Sequence, residues 1–453
     1  MKTYDPNISV RVIKATPRHK FSELDITYWL GENSVIETTK SVHQPAGTFT
    51  FTLPDKPYKG LSLNALLEPM DFVEIRMTHG GATGSELPLI MRGFISDISK
   101  SETISGGKPQ RWLRITGHDM GKILQLIQVV YLPSSITAKY YIAAFRWNDV
   151  FAEGSQVKSK SASDFINEAV NIVVNPFIAK FTALSAPSKQ SRVVNRLSVD
   201  VNVEGMVSAY TPNMFENVSL HQMLTTIVDV PTFNELYTED TEQGTTLVVK
   251  PSPMKDLYTG KFIQGHADSI TIPEVDIISQ QTSRSDSGVA NYFWVLPNNY
   301  GMETNQLMKQ IAAADSLDTY ATFEYKNSKM DTYGFRKMEV ESVLMPPEYR
   351  HSDSPDEDKV SMDRSNDENW IAERRTLLRD MNRDNVLLES GRLSLRGNEA
   401  IKAGQYLNVE RSGVVIGEVY AHSVTHTFRP MQSYFTNVAF DRGTLFANAN
   451  NLI

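Results

Sequence analysis

The sequence predicts a mainly β chain with α+β insertions: two antiparallel β-barrels plus smaller α/β domains. Three observations carry this. Apolar and polar residues alternate through much of 8–118 and again from Leu388 to Gly443, the period of half-buried strands. Turn residues break the later stretch roughly every eight to twelve positions, the spacing of a small barrel or sandwich. Helical spacings fall between these two stretches.

In the first stretch, Ile8, Val10 and Val12 share a face, and so do Leu24, Ile26 and Tyr28. Phe49, Phe51 and Leu53 alternate with threonines, Asp71–Met77 reads as a strand, and His79–Ser85 is a glycine-rich loop. With Leu89–Ile98 and Arg111–Gly117, residues 1–118 form a first barrel of roughly six or seven strands.

Residues 119–205 read as a helical or mixed insertion. Asp119 is placed to cap a helix carrying Met120, Ile123, Leu124 and Ile127. Aromatic residues 140–151 follow, then a helix after Ser163 with Phe165, Ile166, Ala169, Val170 and Val173, then a basic polar loop at 185–196.

Residues 206–345 read as an α/β region. Its helix is Asn217–Asp229, where Ser219 and Gln222 have capping-box spacing and Leu220, Met223, Leu224, Ile227 and Val228 form the stripe. Pro231–Tyr237 and Thr246–Pro253 follow it. The strand–turn–strand of 277–295 is expected to return in part to the second barrel, and a helix with Leu307, Met308 and Ile311 lies within 300–330. Residues 346–368 read as an acidic loop. Residues 369–453 read as a helix, with Trp370, Leu377, Leu378 and Met381, followed by the second barrel. That barrel has strands at 391–397, 406–409, 414–420, 423–429 and 434–440, with turns at Gly397-Asn398, Gly404 and Ser412-Gly413.

Composition narrows the function. With 41% apolar and 22% charged residues in 453, there is material for more than one core. The net charge of −8 argues against a dedicated sequence-independent DNA binder, whose affinity comes from displacing phosphate counterions. An acidic surface suits a wall that DNA slides past. The absence of cysteine removes disulfides, thiolate metal sites and thiol nucleophiles, and fits a protein made in the cytoplasm that later meets an oxidising exterior. Met1–Pro6 is not a signal peptide, and no run reaches the roughly 18 apolar residues of a membrane span.

The motifs that suggest chemistry fall short of it. Gly117-His118-Asp119-Met120-Gly121-Lys122 has three residues between its glycines and Ile123 after the lysine. A phosphate loop needs four and a Ser or Thr, so a strand-to-helix turn is expected. His422 and His426 have zinc-helix spacing, but Ser423 stands where the catalytic glutamate belongs, so strand histidines at a subunit contact are expected. The acids between Asp353 and Glu368 lack the glycine and the alternation of a calcium loop. Carboxylates for glycan hydrolysis are plentiful but unpaired by sequence, and no Gly-x-Ser-x-Gly elbow or zinc-protease helix is present. The expectation is therefore no catalytic, cofactor-binding or metal residues, no cofactor, and no enzyme activity.

Several stretches, taken in order, carry a family resemblance. Pro69–Ile75, Gly93-Phe94-Ile95 and Ile115–Asp119 stand in the first barrel. Phe233-Asn234-Glu235 with Leu247–Pro253 follows, then Ile277–Ser287, Asn291–Val295 and Tyr333–Arg336. Arg396-Gly397-Asn398, Ile401–Tyr406, Val424–Phe428, Tyr434-Phe435-Thr436 and Asp441-Arg442-Gly443 close the series. Together they resemble the late-control-D-like hub proteins at the centre of contractile phage tails, over about residues 10–443.

The resemblance implies two tail-tube-like barrels per chain and a homotrimer whose six barrels adapt a hexameric tail tube to a three-fold spike. It further implies a central channel for tape-measure protein and DNA, and location in the virion baseplate after assembly in the host cytoplasm. The implied partners are the tail tube or tube-initiator protein, a central spike protein expected as a separate chain, baseplate wedge proteins and the tape-measure protein. No specific nucleic-acid binding and no membrane span are expected. The alternative is a peptidoglycan-degrading or glycan-binding tail protein.

Overall fold

The computed structural model describes residues 6–14, 23–57, 62–80, 87–105, 107–129, 144–145, 152–153, 156–157, 159–182, 196–208, 218–298, 325–347 and 357–445. It is mainly β. The first barrel comprises β1 (Asn7–Ile13), β2 (Glu23–Asp25), β3 (Val35–Ser41), β4 (Thr48–Pro54), β5 (Phe72–Thr78), β6 (Leu89–Ser105) and β7 (Lys108–Asp119). The middle region contributes α1 (Lys122–Leu126), α2 (Ala162–Ala169), α3 (Asn175–Thr182), β8 (Leu197–Val201), α4 (Leu220–Ile227), β9 (Asn234–Thr241) and β10 (Gly244–Pro251).

The remaining elements are β11 (Ser269–Pro273), β12 (Ile277–Ser283), the parallel pair β13 (Tyr292–Pro297) and β14 (Lys337–Ser342), α5 (Glu357–Asn382), and β15 (Glu389–Arg396), β16 (Gln405–Arg411), β17 (Val414–Arg429) and β18 (Ser433–Leu445). The second barrel uses the last four strands with β11 and β12, so it draws on residues 269–283 as well as on 389–445. Of the stretch 277–295 expected to return in part to this barrel, 277–283 does so while Tyr292–Val295 pairs with β14, and β11 was not foreseen.

One 13-stranded sheet runs through both barrels in the order β2-β1-β5-β6-β7-β4-β3-β17-β18-β15-β12, with β16 on β17 and β11 on β16. Within it the two barrels have the same strand order. The second reads β11-β16-β17-β18-β15-β12; the first reads β2-(β1)-β5-β6-β7-β4-β3, with β1 as an added strand. A 3₁₀ turn lies on the connection between the two end strands of each barrel, Ile26–Trp29 between β2 and β3 and Glu274–Asp276 between β11 and β12. Alternation fills each interior. Phe49, Phe51, Leu53, Ile75, Met91 and Ile115 pack the first, and Leu393, Leu395, Leu407, Val409, Val419 and Phe440 the second. A third core gathers α1, α2 and α4 with Phe233, Trp370 and Leu378.

Several expectations change. The alternation at 24–30 ends at Asp25, whose carboxylate accepts from the Thr27 amide at 3.0 Å and starts the 3₁₀ corner, leaving Tyr28 86% exposed. The helix expected after Ser163 starts earlier, at Ala162, capped by Ser161, which accepts from the Asp164 amide at 3.1 Å. Helix 217–229 is shorter, Leu220–Ile227, capped by Ser219 at 3.2 Å from the Gln222 amide, and Asp229 beyond it is left-handed (φ 54°). Strands 414–420 and 423–429 are one 16-residue strand.

Of the acidic loop, residues 357–368 are helical and continue into the expected helix. No glycine or proline follows Pro355 to break it, and the buried Trp370, Ile371 and Leu378 anchor the later turns. The expected helix around Leu307 and Ile311, the aromatic residues Tyr140 and Tyr141, and most of the basic loop at 185–196 lie outside the described residues.

Candidate functional site

The site that organises the molecule is the junction of the two barrels, built on β17. On one edge this strand pairs first with β16, through Val414–Ala421, and then with β3, through Ser423–Phe428. The change of partner falls at a bulge. Ala421 pairs with Phe440 and Ser423 with Ala439, leaving His422 unpaired with β18. The Val42 amide and the Ser41 hydroxyl both donate to the His422 carbonyl at 3.0 Å. Three residues on, the hydroxyls of Thr39 and Thr425 meet across the seam at 2.9 Å. The far half of β17 belongs to the first barrel, since Phe428 and Tyr434 pack in its core.

The two histidines have separate roles here. His426 is buried with Nδ1 at 3.0 Å from the Tyr434 hydroxyl and 3.2 Å from that of Thr436. Burial lowers its pKa to about 4, so the ring is neutral near pH 7. The His422 ring lies 5.1 Å from that of His43, which in turn sits 3.8 Å from Asp441. Both sit at a seam within one chain, and no group of metal-ligating side chains occurs among the described residues.

Hairpin β9–β10 clamps both barrels. Toward the first, Asp240 lies 2.6 Å from Lys40 Nζ, and Asp119 lies 3.1 Å from the same ammonium. Thr238 donates to Asp119 at 2.8 Å and Thr245 to Asp240 at 2.6 Å, so both buried carboxylates are satisfied. Burial alone lowers the Lys40 pKa, but the two carboxylates overcome it and hold the ammonium above its ordinary value. Beside this, Arg76 forms a two-pronged pair with Glu242 (2.9 and 2.8 Å) and bonds Glu74 at 2.7 Å. The Arg92 guanidinium donates to the Thr241 carbonyl at 2.5 Å.

Toward the second barrel, Tyr420 donates to Glu235 at 2.6 Å and Ser252 donates to it at 3.2 Å. Arg442 stands 3.9 Å from the same carboxylate and donates to the Pro253 carbonyl at 2.6 Å. Burial pushes the Glu235 carboxyl up, opposed by Arg442 and the Tyr420 hydroxyl. Gly404 makes room for Tyr237. Its φ is +88°, and a Cβ there would lie 2.9 Å from the tyrosine oxygen.

A cleft opens between the three parts, lined among others by Thr38, Lys40, Tyr237, Glu239, Glu399 and His426. Its carboxylates are engaged: Asp119 and Asp240 by Lys40, Glu239 by Lys402 at 2.7 Å, and Glu399 by His79 at 2.7 Å. The segment Gly117–Lys122 is a strand-to-helix turn in which Asp119 accepts from the Gly121 amide at 2.9 Å. Asp119 was expected to cap the helix that follows it, but α1 starts after Gly121 with no side-chain cap. Lys40, Glu235, Asp240 and Arg442 were given no role. Their signal was present in β9, where Glu235 and Asp240 sit in a strand with buried neighbours, but charges in a strand read by default as solvated.

No family model and no curated protein sequence matches the chain. Among solved structures it is similar to the 43 kDa tail protein of prophage MuSo2 from Shewanella oneidensis, at 11% identity and TM-score 0.47, covering 96% of this chain and 97% of that one. It is similar to a tail protein from Neisseria meningitidis, at 14% identity and TM-score 0.43, with 97% of each chain covered. It is also similar to an E. coli component of the type VI secretion system, at 9% identity and TM-score 0.38, covering 92% of this chain and 76% of that one.

Proposed function

We propose that the chain is the structural hub of a phage-type tail baseplate. Three copies form a ring that adapts a six-fold tail tube to a three-fold spike. The observation that carries this reading is the duplication: two barrels of one strand order, set edge to edge in a single continuous sheet. Three such chains present six similar barrels while keeping a true three-fold axis, which resolves the mismatch inside one polypeptide.

The buried clamp supports the reading, because an adaptor must hold its two barrels in a fixed relation. Charged pairs that are fully hydrogen-bonded fix geometry more than they add stability. The net charge of −8 supports a channel whose wall does not retain the tape-measure protein's successor, DNA. On this reading the chain is assembled in the host cytoplasm and stays in the virion. One side of the ring meets the tube or its initiator, the other the spike, with wedge proteins around it.

Electron microscopy of the purified assembly tests this. End-on averages are expected to show a ring of six similar masses around an open channel, with three-fold symmetry at higher detail. A compact particle without a channel contradicts it.

A further inference from the structure

Resting on the trimeric reading, we infer that each copy joins the next by adding its β12 to the far half of the neighbour's β6, in a register that the seam within the chain already displays. The two barrels overlay on their bulges. In β6, Ser96 is the extra residue, with Ile95 opposite Gly117 and Asp97 opposite Thr116. In β17 it is His422, with Ala421 opposite Phe440 and Ser423 opposite Ala439. The strands before them, β5 and β16, also shift register at matching places, Ile75/Arg76 and Val409/Glu410. On this overlay Phe94 matches Tyr420, and the far half of β6 matches the half of β17 that carries β3.

The other side of the seam follows step by step. Gly117 neighbours Phe49, which neighbours Thr38 on β3. Its counterpart Phe440 neighbours Gly391, which neighbours Thr282 on β12. So β12 is the counterpart of β3. In the first barrel β3 is covered by β17. In the second, among the described residues, β12 pairs only with β15, and the far half of β6 pairs only with β7. Both edges are exposed at Gln281–Ser283 and Ser99–Glu102. The open strand β12 carries no Lys, Pro or Gly to blunt it.

At three of the six facing positions the side chains match as well, while the apolar pair Ile36–Phe428 becomes Gln280–Glu102. The in-chain pair Thr39–Thr425 becomes Ser283–Ser99, again two hydroxyls. Lys40 opposite Val424 becomes Arg284 opposite Ile98, a cation facing a β-branched residue both times. Glu37 opposite Thr427 becomes Gln281 opposite Ser101. The occupant of each open edge is therefore a second copy of this chain, because the two halves of the missing seam are both present on it, on different barrels.

The chain has no cysteine, so an introduced pair reports alone. Ser101→Cys with Gln281→Cys places two thiols at facing positions, where Cα atoms stand about 4.5–5.5 Å apart. The control is Ser101→Cys with Ser279→Cys, shifted by two residues on the same face. Mass in solution is measured on the same samples, alone and with the tube and spike proteins of the particle. The expected result is a trimer, with oxidation shifting the first variant from one chain to two and three and leaving the control unshifted. A trimer without the in-register cross-link, or with both pairs reacting alike, overturns the assigned edges and leaves the trimeric hub standing. A bond closed within one chain also overturns them. A single-chain mass under both conditions overturns the hub reading itself.

Discussion

Tyr420 and Glu235 meet at 2.6 Å, hydroxyl to carboxylate, where the second barrel touches the clamping hairpin, and both residues are almost wholly buried. Removing the hydroxyl takes a partner from a buried carboxyl, so Tyr420→Phe is expected to lower stability by about 1–3 kcal/mol. Urea unfolding at pH 7 checks this as a lower midpoint with an unchanged slope. An unchanged midpoint would mean that the hairpin does not depend on this bond.

Lys40 stands between two carboxylates that are nearly inaccessible, Asp119 and Asp240. Lys40→Met leaves them facing each other unneutralised, and a loss of about 3–5 kcal/mol is expected. Adding Asp119→Asn and Asp240→Asn to the same variant removes the stranded charges and is expected to recover most of the loss. Thermal melting of the single and triple variants distinguishes this from a loss of packing, which the added substitutions would not repair.

Asp229 is fully buried, accepting from the Ser342 hydroxyl at 2.6 Å and the Val343 amide at 2.7 Å. Burial raises its pKa from 3.8 to about 6 despite these bonds and the Arg374 charge. A carboxyl raised in the folded state binds its proton more tightly there than when unfolded. Its contribution is therefore full below about pH 4 and is lost as pH rises to about 6. The shift corresponds to a loss of order 3 kcal/mol. The stability difference between the wild type and Asp229→Asn, followed from pH 4 to 7, is expected to change over this window and to be flat above it.

Gly404→Ala combines a left-handed backbone with a Cβ 2.9 Å from the Tyr237 oxygen. A loss of about 1–3 kcal/mol is expected, read as a lower melting temperature. Gly413→Ala is the comparison, with φ +83° and open space around it, so it isolates the backbone part of the effect.

The strands of both barrels were legible because Phe49, Phe51, Leu53, Leu393 and Leu395 alternate with polar residues and face packed interiors. The Ser219 cap was legible for the same local reason. The duplication was not legible as identity, since equivalent positions hold Phe94 and Tyr420, or Gly117 and Phe440. The barrels share a pattern of pairing and bulges, which leaves little trace in residue type. The clamp was hidden because Lys40, Asp119, Glu235, Asp240 and Arg442 look like surface charges until a distant partner covers them. The charged start of α5 misled for the opposite reason: composition alone does not separate a polar helix from a loop.

Assembly of three copies is read from the mass of the purified chain by light scattering. The expected mass is three times 50.9 kDa, about 153 kDa, either alone or once the tube and spike proteins of the same particle are added. A mass that stays at 50.9 kDa in both conditions would contradict it.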